Sequence, residues 1–261
     1  MTSVLDDFTD PGEGTPAAAW TSVLASAGLD PATLEGVRRL VVVSAHPDDE
    51  TLGAGGLIAT ATAAGLDVHL LCASDGNGSH PRSPTHTPEA LAARRAEEYA
   101  AAAGELGVPA SQVTRLGLPD GALADHVSAV TTALAVLVGD GGDTVLASTW
   151  MEDGHPDHEA VGRAAAAAAR RTDAVHWEFP VWFWHWAGPD DARLRTLRPF
   201  ALTVEAQDAK GRAVVAHVSQ VGPLSPAPGD ETLLDADFLA HFARDHEWFV
   251  VVPGADSPSD E

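Results

Sequence analysis

The sequence predicts an α/β fold: a Rossmann-like, doubly wound, mostly parallel sheet flanked by helices, with a C-terminal elaboration. Two observations support this prediction. Apolar, β-branched runs alternate with alanine-rich helical runs from residue 38 to about residue 180. In addition, a strand, a helix and a second strand fit within residues 39–74, which is the length of one βαβ unit. Such a unit requires two parallel strands.

The predicted elements follow one another in regular alternation. The strands are RLVVVSA (39–45), LDVHLLCAS (66–74), VTRLGLP (113–119) and DTVLAST (143–149). The helices are AAAWTSVLASAGL (17–29), ETLGAGGLIATATAAG (50–65), residues 89–106, residues 123–138 and HEAVGRAAAAAARR (158–171). Valine and leucine dominate the strands, whereas alanine, the strongest helix former, dominates the helices.

Length and composition indicate one domain. A chain of 261 residues that is 45% hydrophobic can bury a full core. We therefore expect a single domain over residues 1–261, with its core at about 38–180 and the C-terminal elaboration at about 181–252. The acidic tail GADSPSDE (254–261) is expected to fray.

The charge balance limits the partners that the chain can bind. The 38 acidic and 15 basic residues give a formal net charge of −23, which repels phosphate backbones and anionic lipid head groups. Nucleic acid and membrane are therefore excluded as expected partners, and a small molecule is favoured. The sequence leaves homo-oligomerisation open.

The sequence indicates a cytoplasmic protein. Its first residues, MTSVLDDFTDPGEG, carry acids where a signal peptide has a basic region and an apolar core. The single cysteine, Cys72, cannot form an intrachain disulfide, and no apolar run is long enough to span a bilayer.

Two similar polar segments follow predicted strands. AHPDDE (45–50) follows the first strand, and GHPDHE (154–159) follows the strand DTVLAST. Ligands of open parallel sheets bind beyond the carboxyl ends of the strands, so the two segments are expected to converge.

The residue types in these segments suit a metal-dependent hydrolase. His46, Asp49 and His158 provide two imidazoles and one carboxylate, the ligand set of a catalytic zinc that keeps one position open for water. Asp48 is then placed to act as general base. His155, if protonated, would stabilise an oxyanion or protonate a leaving amine, and Asp157 would orient it.

A structural interpretation competes with this one. Taken alone, a His-Pro-Asp segment is more often a turn in which the aspartate caps a helix, and Asp48 or Asp157 would fill that role. Helix capping, however, requires neither histidine, nor does it require two such segments at matching strand ends. The aromatic run at 177–186 predicts core packing or a buried lid, and sugar stacking stays open as its alternative.

Four motifs stand in this order along the chain: AHPDDE, RRAEEYAAAAGELGV, LGLPDG and HPDH. Through these motifs, in the order expected of the family, the chain resembles the PIG-L/LmbE-like zinc-dependent N-deacetylases. That family includes mycothiol-type, bacillithiol-type and GlcNAc-PI-type deacetylases. The resemblance implies hydrolysis of an N-acetyl group from an N-acetylglucosaminyl-type conjugate. It implies Zn²⁺, with Fe²⁺ as an alternative, and the following roles: metal ligands His46, Asp49 and His158; catalytic residues Asp48, His155 and Asp157; substrate contacts Arg95 and Asp120.

Two further functions stay open at this point. The chain could be a zinc amidase that cleaves a different bond, in a sugar-thiol or secondary-metabolite conjugate, or a catalytically silent sugar-binding protein on the same fold. A nucleotide-binding protein is disfavoured, because HPDDETLGAGG (46–56) lacks the G-x-G-x-x-G fingerprint after the first strand.

Overall fold

A computed structural model describes residues 14–26 and 29–252 of the chain. The strands are β1 (Arg39–Ser44), β2 (Asp67–Ser74), β3 (Val113–Leu118), β4 (Thr144–Thr149), β5 (Val175–Phe179), β6 (Leu197–Ala201) and β7 (His246–Val252). The longer helices are α1 (Ala17–Ser26), α2 (Asp49–Ala63), α3 (Pro88–Glu105), α4 (Val127–Val138), α5 (Pro156–Thr172) and α7 (Val204–Ala216). Three short helices complete the set: α6 (Phe183–Trp186), α8 (Val218–Val221) and α9 (Ala236–Leu239).

The strands form one sheet in the order β3-β2-β1-β4-β5-β7-β6. The first five are parallel, whereas β7 runs antiparallel to both β5 and β6. This confirms the predicted doubly wound, mostly parallel α/β fold. The chain order reverses between β1 and β4, and a crevice opens at such a switch point beyond the carboxyl ends of the two strands.

Helices cover both faces of the sheet. On one face, α2, α3 and α7 pack with the alternate side chains Leu40 and Val42 of β1 into one apolar core. On the other face, α4 and α5 pack with Val41 and Val43. Because both faces are covered, β1 and β4 are buried along nearly their whole length, which is why these strands read as continuous apolar runs.

The predicted helices agree with the structure within a few residues at their ends. The helix predicted at 89–106 spans Pro88–Glu105, where Thr87 caps its first turn. The helix predicted at 123–138 begins as a 3-10 turn, Leu123–His126, before α4. Residues 27–28 of the first predicted helix, residues 1–13 and the tail predicted to fray lie outside the described residues.

The C-terminal segment is part of the main sheet. The elaboration expected at about 181–252 supplies β6 and β7, and β7 pairs directly with β5. None of β5, β6 and β7 is predicted from the sequence. The aromatic run is largely core, since Phe179 and Phe183 are buried, whereas Trp186 is 41% exposed. Across residues 14–26 and 29–252, no helix combines the length and apolar character needed to cross a bilayer.

Candidate active site

The two His-Pro-Asp segments meet at the switch point between β1 and β4. The first lies between β1 and the first turn of α2, and the second leads into α5. His155 is the N-cap of α5, and Pro156 occupies its first turn, where a missing backbone N–H costs nothing. Strand ends and helix starts therefore bring the two segments to one edge of the sheet, as their positions in the sequence predict.

The three predicted metal ligands lie within contact distance. Asp49 Oδ1 is 3.2 Å from His158 Nε2, and Asp49 Oδ2 is 3.5 Å from His46 Nδ1. Two ligands of one tetrahedral zinc are separated by about 3.3–3.6 Å, given the usual bond lengths. His158 Nε2 is also buried without a hydrogen-bond partner among the described residues. A buried, unpartnered imidazole nitrogen beside a carboxylate fits a metal ligand.

Charge coupling within this group is strong. Burial by itself would raise the pKa of Asp49, but His158 and His46 hold that pKa well below its usual range. Burial by itself would lower the pKa of His158, but Asp49 and Asp153 raise it to about 9. Without a metal ion, the pocket therefore favours a carboxylate and an imidazolium. A divalent cation would take the place of the imidazolium proton.

Asp153 is a buried residue of the site that is not predicted from the sequence. Its Oδ2 accepts a hydrogen bond from His158 Nδ1 at 2.7 Å, which turns Nε2 toward Asp49. The same carboxylate accepts the backbone N–H groups of Val181, Trp182 and Phe183 at 2.7, 3.0 and 3.1 Å. Such a partner fixes the tautomer and orientation of a metal-binding histidine.

Two further carboxylates hold His46 from its other side. His46 Nε2 lies 3.1 Å from Asp120 Oδ1 and 3.4 Å from Asp157 Oδ2. Burial by itself would lower the pKa of His46, but the bonds to Asp120, Asp157 and Asp49 raise it well above its ordinary value. The Nε2–H group of His46 is thereby anchored, and Nδ1 faces Asp49.

Asp48, the predicted base, has an unusual backbone conformation. Its φ of 126° lies in the region that side chains other than glycine rarely adopt, and its side chain makes no cap hydrogen bond to α2. The helix-capping alternative therefore does not describe Asp48. Gln220 of α8 stabilises this conformation, since its Nε2 donates to the carbonyl of Pro47 at 2.6 Å. Burial, and then the charge of Asp49, raise the pKa of Asp48 well above its ordinary value.

His155 lies beside the two predicted histidine ligands. Its ring centroid is 4.5 Å from that of His158 and 5.0 Å from that of His46. His155 Nδ1 accepts the backbone N–H of Asp157 at 3.2 Å, and burial lowers the pKa of His155 well below its usual value. The expectation of a protonated His155 is thus replaced by a neutral ring whose proton is on Nε2.

Asp157 is placed differently from its predicted role. Its carboxylate accepts the N–H groups of Gly121 at 2.8 Å and Leu123 at 3.0 Å, besides lying near His46. The hydrogen bond that it makes to His155 comes from its backbone N–H. Asp157 thus joins α5 to the loop that follows β3.

Arg95 and Asp120 line the same pocket, which encloses about 590 Å³. Arg95 is buried and donates to the carbonyl of Gly76 and to Ser79 Oγ. Asp120 Oδ2 accepts the N–H of Gly78 at 2.7 Å. Both side chains therefore hold the loop after β2 at the pocket wall. Gly76, at φ 62°, leaves room for Arg95 that a Cβ would fill.

Among the described residues, two groupings bring three ligand atoms within 4.8 Å of one another. They are His46 with His155 and His158, and His46 with Asp120 and Asp157. Asp49 belongs to neither grouping, although it lies beside both His46 and His158. The pocket also has an apolar lining, formed by Leu52, Val181, Trp182, Leu233, Leu234 and Phe238.

Comparison with known proteins agrees with this geometry. The family model for PIG-L, the GlcNAc-PI de-N-acetylases, matches residues 41–169, which contain both His-Pro-Asp segments. This part of the chain is therefore similar to the PIG-L family. Among its relatives, the 1D-myo-inositol 2-acetamido-2-deoxy-alpha-D-glucopyranoside deacetylase of Mycobacterium sp. (strain JLS) is 28% identical, over 92% of this chain and 92% of the relative.

A second deacetylase of that name, from Tsukamurella paurometabola, is 27% identical, over 85% of this chain and 95% of the relative. Solved structures show the same fold. The N,N'-diacetylchitobiose deacetylase of Pyrococcus horikoshii superposes with a TM-score of 0.63, over 94% of this chain and 97% of that protein, at 19% identity. The resemblance expected from the motifs is thereby confirmed.

Proposed function

We propose that this protein is a metal-dependent hydrolase that removes the N-acetyl group of an N-acetylglucosaminyl-type conjugate. The observation that carries the proposal is that Asp49 lies against both His46 and His158, at the pocket that the strained, buried Asp48 lines. The names of its relatives, which are deacetylases of acetamido sugars, support the substrate class.

His46, Asp49 and His158 would hold the metal, and zinc suits this donor set of two imidazoles and one carboxylate. A zinc ion there would supply Lewis acidity, polarising the acetyl carbonyl and lowering the pKa of water toward ~7. Asp153 and Asp120 support this role by orienting the two imidazoles. Fe²⁺ binds the same donor atoms, so the metal present in the cell has to be identified by measurement.

Asp48 is proposed as the general base. It lies next to a predicted ligand in the chain and lines the pocket, so its carboxylate is placed to take a proton from the attacking water. Its raised pKa makes the carboxylate a stronger base than an exposed aspartate. The hydrogen bond from Gln220 Nε2 to the carbonyl of Pro47 stabilises this position, in which Asp48 has a strained φ.

His155 is proposed to stabilise the tetrahedral oxyanion. As a neutral ring with its proton on Nε2, it would donate a hydrogen bond to the developing negative charge, a contribution of the type that oxyanion-hole donors make. The proton collected by Asp48 is then available for the departing amine. Arg95 and Asp120, which line the pocket and hold the loop after β2 at its wall, are proposed to contact the sugar.

Release of free amine and of acetate from a panel of N-acetylglucosaminyl conjugates tests this function. We expect equal amounts of both products with the wild-type chain. In Asp48→Asn, turnover should fall by about 10²–10⁴-fold while bound metal stays unchanged, since the variant removes a base and no ligand. Asp75→Asn, outside the pocket lining, is the matched control. Unchanged turnover in Asp48→Asn would contradict the assignment of the base.

A further inference from the structure

A second groove shares one wall with the candidate active site. Leu52, one turn after Asp49 on α2, lines both the catalytic pocket and this groove. The groove encloses about 760 Å³ between α7 and the segment 239–244, and Val214, Leu239 and Phe242 form its apolar part. Arg244 lies in its wall, and we call it the Arg244 groove.

The guanidinium of Arg244 is buried without a hydrogen-bonding partner. Neither Nη1 nor Nη2 has a hydrogen-bond acceptor within residues 14–26 and 29–252. The group sits 4.8 Å from the ring centroid of Trp184. Stacking on an aromatic ring offsets only part of the hydration that a buried charge loses, and burial accordingly lowers the pKa of Arg244 to about 10. The two nitrogens therefore lack a hydrogen-bond acceptor, which a ligand could supply.

The acidic groups nearby are engaged elsewhere or exposed. Glu247 accepts hydrogen bonds from Lys210 Nζ at 2.8 Å and from the N–H groups of Gly56 and Leu57 at 2.7 Å each. This pairing neutralises Lys210, the other cation of the groove. Asp208 lies on the exposed rim. Within the described part of the groove, Arg244 is thus the one cation without a counter-charge.

One more donor lies in the hollow that adjoins this groove. Trp248 lines that hollow together with Arg244. Trp248 is 8% exposed, and its Nε1 is buried without a partner among the described residues. A tryptophan N–H is a donor only, so it needs an acceptor that the described chain does not provide.

We propose that the Arg244 groove binds a small monoanionic carboxylate with an apolar body. The two Nη groups match the two oxygens of a carboxylate in a bidentate pair, and Trp248 Nε1 offers a further donor. Val214, Leu239 and Phe242 would cover the apolar body. A dianionic phosphate would bring more negative charge than the single free cation can balance. This site is distinct from the one proposed for catalysis and does not depend on that function.

Calorimetric titration of the full chain with sodium octanoate tests the proposal. We expect one octanoate per chain, and binding weaker by roughly tenfold or more in Arg244→Met, since a charge-assisted bidentate pair is lost. Arg212→Met, which removes an exposed arginine of α7, should bind octanoate like the wild type. Inorganic phosphate and 1-octanol, each lacking half of the proposed chemistry, should not bind.

Thermal melting without octanoate separates binding from folding. Because Arg244→Met replaces an unpaired buried charge by an apolar chain, the variant should melt at or above the wild-type temperature. Equal octanoate binding by Arg244→Met and wild type would overturn the proposal, because the anion would then lie elsewhere, for example on the catalytic metal. A melting temperature of Arg244→Met below that of the wild type would also overturn the proposal. Phosphate binding tighter than octanoate binding would do the same.

Discussion

Replacement of Asp153 by asparagine tests how the site is organised. Asp153 Oδ1 accepts N–H groups of Val181 and Phe183, while Oδ2 accepts those of Trp182 and of His158 Nδ1. The side-chain amide of asparagine must turn its NH₂ toward one of these pairs. In either orientation, two N–H donors face the NH₂ group, which cannot accept a hydrogen bond from them. Two hydrogen bonds to a buried charged acceptor are lost, and each contributes about 1.5–3 kcal/mol.

The free energy of unfolding should therefore fall by about 3–6 kcal/mol in Asp153→Asn. If the NH₂ group faces His158, the imidazole can adapt only by moving its proton to Nε2, the nitrogen directed at the metal. Zinc affinity should then drop by about 10–100-fold, as on loss of other partners of this kind.

Urea denaturation gives the stability, and competition with a chromophoric chelator gives the zinc affinity. Glu152→Gln, which alters the neighbouring exposed carboxylate, should leave both quantities unchanged. If Asp153→Asn matched the wild type in stability and in zinc affinity, the orienting role assigned to Asp153 would be refuted.

Three further substitutions are predicted from buried polar groups. Glu178→Gln should remove one contribution to the pH dependence of stability: burial raises the folded pKa of Glu178 to about 7, so this group lowers wild-type stability by about 3 kcal/mol as pH rises from ~4.5 to ~7, which urea titrations at several pH values measure. Gln220→Leu should lower turnover by about fivefold without loss of metal, because the strained Asp48 loses a support worth about 1 kcal/mol. Glu247→Gln should cost about 3–5 kcal/mol of unfolding free energy, since it breaks the buried pair with Lys210.

Each of these three predictions has a control variant or an outcome that would contradict it. Glu105→Gln disrupts an exposed pair with Arg212 of similar length, 2.7 Å, and should cost under about 1 kcal/mol; an equal cost for Glu247→Gln would contradict the argument from burial. A Glu178→Gln variant with an unaltered pH profile would show that Glu178 does not titrate as described. Loss of bound metal in Gln220→Leu would mean that Gln220 positions the metal ligands and not the base, Asp48.

The core of the fold is predictable from the sequence, whereas its C-terminal strands are not. Strands such as β1 are recognisable because both faces of a parallel sheet are covered, and an uninterrupted apolar run results. In β5 and β7, buried acids interrupt the apolar pattern: Glu178 accepts the N–H of Met151, and Glu247 pairs with Lys210. Such partners are distant in the sequence, so the pattern alone does not indicate a strand.

The same distinction applies to the candidate site. The two His-Pro-Asp segments carry their chemistry within six residues each, and their convergence follows from parallel strands ending at one edge. Asp153 depends on backbone N–H groups of residues 181–183, which no local pattern reveals. Its one sequence signal is an acid five residues before His158. The neutral state of His155 likewise depends on burial and on the N–H of Asp157.

The most direct test of the account is amine release from an N-acetylglucosaminyl conjugate by the protein as purified, after chelation, and after zinc is restored. We predict that release disappears with the chelator and returns with zinc. In His158→Ala it should stay absent after zinc is added, because one of three ligands is missing. Release that persists in the chelated protein, with no metal detectable by mass spectrometry, would contradict a metal-dependent deacetylase built on His46, Asp49 and His158.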